Sequence, residues 1–125
     1  MVKARALEPV LSPDEPVEII HLEFDVDVLV VTVSIDNERI DVEFDAPVGF
    51  RALDEGDLLE FWPECSTFNG WLFQVQGGGW FAQESMRGGF LSSGNRDVKE
   101  YFIIGLNYCV SVLGWHDPDV NASTR

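Results

Sequence analysis

The sequence predicts an all-β protein, built as a small and strongly bent antiparallel barrel with extra strands. Apolar and polar residues alternate with a period of two over much of the chain from residue 17 onward, which is the pattern of half-buried strands. Gly, Pro, Asn and Asp turn signals separate eight or nine such segments, and no segment has a convincing helical period. Short strands joined by tight turns are typical of small barrels and sandwiches.

The length of 125 residues fits a single domain. We expect one β domain at 17–116, preceded by a lead-in at 1–16 and followed by a tail at 117–125. Three prolines in the lead-in exclude a long helix there, because proline clashes with the preceding helical turn. A short helical turn fits Val2–Leu7.

The first half of the domain has the clearest strand pattern. A strand with an acidic outer side is predicted from Val17 to Asp27, since apolar residues alternate there with acids. A β-hairpin is predicted over Val28–Asp45, turning at Asp36-Asn37. Two shorter strands are expected at 48–53 and 58–62.

The second half is richer in glycine and aromatic residues. We expect a strand at 71–75, a turn at Gly77–Gly79 and a short strand at 80–82. Residues 85–97 hold several glycines and serines and predict a loop. An apolar strand pair, Lys99–Ile104 with Tyr108–Leu113, closes the domain.

The turn of that last pair, Phe102–Val112, resembles the second motif of Sm-like proteins. Three of its positions match the motif, namely Ile103, Gly105 and Asn107. The resemblance implies a bent five-stranded sheet closed into a small barrel, assembly into rings through edge strands, and binding of single-stranded RNA. Ile104 stands where the family has its RNA-contacting arginine, and the family's first motif is absent from the sequence. The resemblance therefore supports a prediction of the fold, and RNA binding is not carried over from it.

Charge is distributed unevenly along the chain. Residues 1–64 contain 17 of the 22 acidic residues and four basic ones, whereas the remainder carries five acids and four bases. A net charge of −14 disfavours nucleic acid and anionic membranes as partners, since both are bound through Lys and Arg. No apolar run approaches the length of a membrane helix, and the two cysteines suit a reduced, cytoplasmic protein.

Two predicted strands carry acids on one side, and these acids form the candidate partner-binding face. Its members are Glu23, Asp25, Asp27, Asp41, Glu43 and Asp45. Like charges on neighbouring strands repel, and a basic protein surface would relieve that repulsion. A solvated face that protects against aggregation is the plain alternative, and a metal ion is a third that lacks a calcium-loop pattern.

The aromatic residues of the second half suit a β core, because most of them alternate with polar neighbours. Trp80, after three glycines, and Trp115, near the tail, are the two expected at the surface, where they could form a stacking platform.

No catalytic constellation is apparent. Cys65 and Cys109 have no zinc-ligand spacing with either histidine, and Cys109 suits a buried thiol. We therefore predict a non-enzymatic binding or assembly module without cofactor, acting on a basic protein partner or by self-association. The alternatives are a degenerate Sm-like protein with weak RNA binding, and a small metal- or Cys-dependent hydrolase.

Overall fold

A computed structural model describes residues 1–8, 16–66 and 69–123, with Glu8 described by its backbone alone. Half of the fold is extended chain arranged in antiparallel pairs. The strands within the described residues are β1 (Lys3–Glu8), β2 (Val17–Phe24), β3 (Val28–Ile35), β4 (Glu38–Asp45), β5 (Gly49–Asp54), β6 (Leu72–Gly77), β7 (Lys99–Ile103), β8 (Tyr108–Gly114) and β9 (Asp119–Ala122). One short helix, α1 (Trp80–Glu84), and two 3₁₀ helices, Glu55–Asp57 and Leu59–Phe61, complete them.

The strands form two separate sheets. A five-stranded sheet has the order β1-β6-β7-β8-β5, and a four-stranded sheet has the order β2-β3-β4-β9. The all-β prediction is confirmed. The closed barrel is not formed by the described residues, because β1 and β5 remain edges of one sheet while β2 and β9 remain edges of the other.

The two sheets pack on each other through a shared apolar core. The four-stranded sheet contributes alternate residues of β3 and β4, such as Val31 and Phe44, and the five-stranded sheet contributes Tyr101 and Val112. All four side chains are buried, and the rings of Phe44 and Tyr101 lie 5.5 Å apart between centroids. This layer buries one face of each sheet.

A second core covers the opposite face of the five-stranded sheet. Phe102 of β7 is fully buried there and stacks on Phe61 of the second 3₁₀ helix, with ring centroids 4.4 Å apart. Cys65 and Cys109 belong to the same cluster. The five-stranded sheet therefore packs against a core on both faces, whereas no second core cluster of described residues covers the outer face of the four-stranded sheet, which we call the open face.

Two predicted strands are helical in the structure. Leu58–Trp62 was expected to be extended, but Leu58 and Phe61 are both buried, and a spacing of three residues places both on one side of a 3₁₀ turn. Residues 80–82 were also expected to be a strand and instead begin α1. The loop at 85–97 agrees with prediction, and the turn expected at Gly77–Gly79 is formed by Gly78 and Gly79, since Gly77 ends β6.

The predicted lead-in and tail both contain strands. β1 pairs with β6, and β9 pairs with β4. Val2 is buried whereas Lys3 and Arg5 are exposed, so the helical turn expected at Val2–Leu7 is replaced by a period of two.

A β-bulge changes the predicted side of Ile20 in β2. The register shifts between Ile19 and His21, so Ile20 is an extra residue. Ile20, expected to face the core, is 42% exposed. Phe24 keeps its predicted side, opposite the core residue Leu29, and is 43% exposed at the end of β2. Within the described residues, no helix is long and apolar enough to cross a membrane.

Candidate functional site

The outer face of the four-stranded sheet holds four of the six acids predicted to bind a partner. In β4, Val42 and Phe44 point into the core, so Asp41, Glu43 and Asp45 point outward. Glu23 of β2 lies opposite Val30 of β3, on that same outer face.

The structure places three carboxylates in one row across this sheet. Glu23 pairs with Val30, Val30 with Glu43, and Glu43 with Asp119 of β9. We call Glu23, Glu43 and Asp119 the acidic row. Sequence reasoning missed Asp119, because it lies in the segment expected to be a tail and joins the row only through strand pairing.

Asp41 is unsuited to contact a partner directly. Its side chain is 7% exposed and accepts a hydrogen bond of 2.6 Å from the hydroxyl of Thr32 on the neighbouring strand. That bond satisfies a buried polar pair, so Asp41 supports the sheet beneath the acidic row.

Asp25 and Asp27 do not lie on the strand face, because β2 ends at Phe24. The Asp25 carboxylate accepts hydrogen bonds from the backbone N–H groups of Asp27, at 3.1 Å, and Val28, at 2.8 Å. This is an Asx-type turn, and it connects β2 to β3 around Val26, whose φ is 84°. Both aspartates are exposed at the end of the sheet that carries Asp45.

Positive charge on the same face is sparse. Among the described residues, Arg39 of β4 is the arginine on this face, and it lies opposite Ser34. Within the described part of the chain, none of Glu43, Asp45 and Asp119 forms an ion pair. Glu43 and Asp119 of the acidic row thus present negative charge to solvent without an ion-pair partner among the described residues.

The two tryptophans expected to form a platform have different surroundings. Trp115 is 41% exposed after the end of β8. Trp80 is half-buried, with its indole N–H donating to Glu84 at 3.1 Å and the Arg51 guanidinium 5.0 Å above its ring. Its ring face is therefore occupied by a cation, which leaves Trp115 as the exposed member.

A buried carboxylate on the covered face was missed by sequence reasoning. Glu100 of β7 is 3% exposed, and its two oxygens accept the backbone N–H groups of Trp80, at 2.9 Å, and Phe81, at 2.8 Å. A Cβ at Gly79 would lie 2.6 Å from a Glu100 oxygen, so glycine permits this close approach. Burial raises the pKa of Glu100, and the two backbone N–H bonds, followed by the nearby Arg51, oppose that rise.

The cysteines are unsuited to nucleophilic chemistry. Both are free and buried, and burial raises the pKa of Cys65 to about 12 and that of Cys109 to about 11. Thiolates are the reactive form, so both thiols are inert near neutral pH. Among the residues described, no three His, Cys, Asp or Glu side chains gather as a metal ion requires.

Compared with protein-family models, curated proteins and solved structures, the chain matches none of them. Its function must therefore be inferred from the geometry of its own residues.

Proposed function

We propose that this protein is a non-enzymatic binding module whose acidic row docks a basic protein surface. The observation that carries the proposal is the pairing of Glu43 directly opposite Asp119, with Glu23 two strands away in the same row. Like charges directly opposite each other on adjacent strands destabilise a sheet. The repulsion within the row lowers the stability of the free protein. A cationic partner would relieve this repulsion, and the relief would contribute to the free energy of binding.

The surroundings of the acidic row support docking. Val30 lies between Glu23 and Glu43 in the row and is 9% exposed, so the charged side chains supply most of the accessible surface of the row. The exposed Asp25, Asp27 and Asp45 extend the negative charge to the end of the sheet. Complementary charge of this kind raises association rates and selects partners by sign. A protein with clustered Lys and Arg, such as a basic nuclease or toxin held inactive by this chain, has the required chemistry.

The test compares two double variants with the same net charge. Glu43→Lys with Asp119→Lys reverses the acidic row, whereas Asp57→Lys with Asp97→Lys reverses two exposed acids attached to the other sheet. Affinity capture from cell extract is followed by binding measurements on each recovered basic protein. We expect the row variant to lose at least about tenfold in affinity and the control variant less than about threefold.

Equal losses for the two variants would contradict docking at the row, because they would assign binding to net charge alone. Recovery of partners without clustered Lys and Arg would contradict the proposed chemistry.

The Sm-like resemblance remains a proposal about the β7–β8 hairpin. Its support is local: Gly105 is buried, and a Cβ there would lie 2.0 Å from the Tyr108 carbonyl oxygen, so this tight turn requires glycine. Ile104, at the position of the family's arginine, is 3% exposed. Titration with labelled oligo-U and light scattering of the purified protein test RNA binding and ring assembly, respectively.

A further inference from the structure

A cavity of about 660 Å³ lies on the covered side of the five-stranded sheet, away from the acidic row. Its walls come from β6, from the start of α1 and from residues 94–100. Its volume falls within the range of small-molecule sites.

Glu100 supplies a hydrogen-bond acceptor in the cavity wall. Each of its oxygens already accepts one backbone N–H from α1, as described above. A carboxylate has about four lone-pair sites, so one site on each oxygen remains for a donor on a ligand. The backbone bonds also hold the carboxylate in place, which gives it a fixed orientation.

Two cationic residues also line the cavity. They are Arg96 and Lys99, and the Lys99 ammonium donates to the Arg96 carbonyl at 3.2 Å. Within the part of the chain that is described, neither forms an ion pair, although the protein has 22 acids and eight Lys and Arg residues. The charges of Arg96 and Lys99 favour an anionic group of a ligand at this side of the cavity.

The remaining walls offer an aromatic side and polar groups. Phe81 is half-buried and packs edge-on against Phe90, with centroids 5.7 Å apart. The Asn95 side-chain oxygen accepts the backbone N–H of Asp97 at 3.0 Å, which leaves its amide NH₂ available as a donor. A planar or ring-shaped ligand body can lie against Phe81 between the cationic and acidic parts of the cavity.

We propose that this cavity binds a phosphorylated small molecule whose other end carries N–H or O–H donors. The phosphate lies near Arg96 and Lys99, and the donors bond to the free lone pairs of Glu100. A nucleotide and an amino-sugar phosphate share this chemistry. The site is separate from the acidic row, so either can fail without the other.

The experiment is isothermal titration of the full chain with guanosine 5′-monophosphate and with N-acetylglucosamine 6-phosphate. Each is compared with its unphosphorylated form and with inorganic phosphate. We expect one of the two phosphorylated probes to bind saturably, and removal of its phosphate to weaken binding by at least about tenfold, since charge-assisted bonds are lost. Which probe binds distinguishes the nucleotide from the sugar phosphate.

Two matched variants locate the site. Arg96→Gln should weaken binding of the phosphorylated probe by about tenfold, whereas Arg39→Gln, which removes the same charge from the four-stranded sheet, should change it by less than about twofold. Glu100→Gln should weaken both the phosphorylated and the unphosphorylated probe, with circular dichroism to verify folding. If Glu100→Gln does not fold, the comparison of Arg96→Gln with Arg39→Gln decides the outcome.

Absence of saturable binding by both phosphorylated probes up to about 5 mM would overturn the proposal. Equal weakening by Arg96→Gln and Arg39→Gln would also overturn it, since the anion would then respond to net charge and not to the cavity.

Discussion

The outer faces of the two sheets hold their carboxylates in opposite surroundings, exposed on one sheet and buried on the other. On the four-stranded sheet, Glu23, Glu43 and Asp119 lie in one row at the surface, where water limits the repulsion between Glu43 and Asp119 to about 0.2–1 kcal/mol. On the five-stranded sheet, Glu100 is buried and is accompanied by two backbone donors and by the nearby Arg51. Exposed charges can lie side by side on a binding surface because water solvates them. A buried charge instead needs hydrogen-bond donors or opposite charges within the protein.

The largest effect should come from the covered face. Phe102→Ala removes a fully buried ring stacked on Phe61 and should lower the free energy of unfolding by about 3–5 kcal/mol. Val30→Ala, at the centre of the open face, should cost about 1 kcal/mol. Urea denaturation of both variants measures the difference. Similar losses would contradict the description of one covered and one open face.

The next effect concerns the carboxylate beneath α1. Glu100→Gln places an amide NH₂ against one of the two backbone N–H donors, so we expect a loss of about 1–3 kcal/mol at low pH. The raised pKa of Glu100 means that the wild-type protein loses stability as pH rises above about 4.5 through the folded-state pKa. The variant lacks this titration, so the difference in the free energy of unfolding between the wild-type protein and Glu100→Gln should decrease as pH rises. Urea denaturation at several pH values measures this difference in the free energy of unfolding. A difference that grows with pH would contradict a raised pKa for Glu100.

A smaller effect is expected at the cation above Trp80. Arg51→Met removes the guanidinium from the indole ring, 5.0 Å away, and leaves Glu100 with less compensating charge. We expect a loss of about 1–2 kcal/mol. Arg51→Lys keeps the charge without the planar stacking. Its thermal unfolding temperature should therefore fall between those of the wild-type protein and Arg51→Met. A lysine variant as unstable as the methionine variant would assign the effect to stacking alone.

The smallest effect has the opposite sign. Asp119→Asn removes one of two like charges that lie directly opposite each other and should stabilise the free protein by about 0.2–1 kcal/mol. The gain should shrink in high salt, because salt screens exposed charges. Asp57→Asn is the control for net charge, and an equal gain there would show that the acidic row carries no special repulsion.

Local patterns predicted much of the sheet content. The hairpin over Val28–Asp45 and the final pair were found from alternation and turn residues, and both are present with small shifts in their ends. Apart from the helical turn expected at Val2–Leu7, which is replaced by β1, the errors in element type occurred at Leu58–Trp62 and at residues 80–82. Both segments are short and apolar, and periodicity over so few residues does not distinguish a strand from a helical turn.

The candidate sites were predicted less completely. Four acids of the open face were placed correctly by the period of two, whereas Asp25 and Asp27 left the face where β2 gives way to a turn. Trp115 is exposed as expected, but Trp80 is held under Arg51. Glu100 resembles any strand carboxylate in the sequence, and only the helix that begins 20 residues earlier makes it a buried acceptor.

The sequence by itself determined the strand alternation, the turns, the burial of Cys109 and the concentration of acids in the first half, since these depend on neighbouring residues. Tertiary structure decided that the strands form two sheets and not one closed barrel. It also placed Asp119 opposite Glu43 and closed α1 over Glu100. Pairing partners and covering segments come from distant parts of the chain, and a single bulge in β2 changes which side chains face outward.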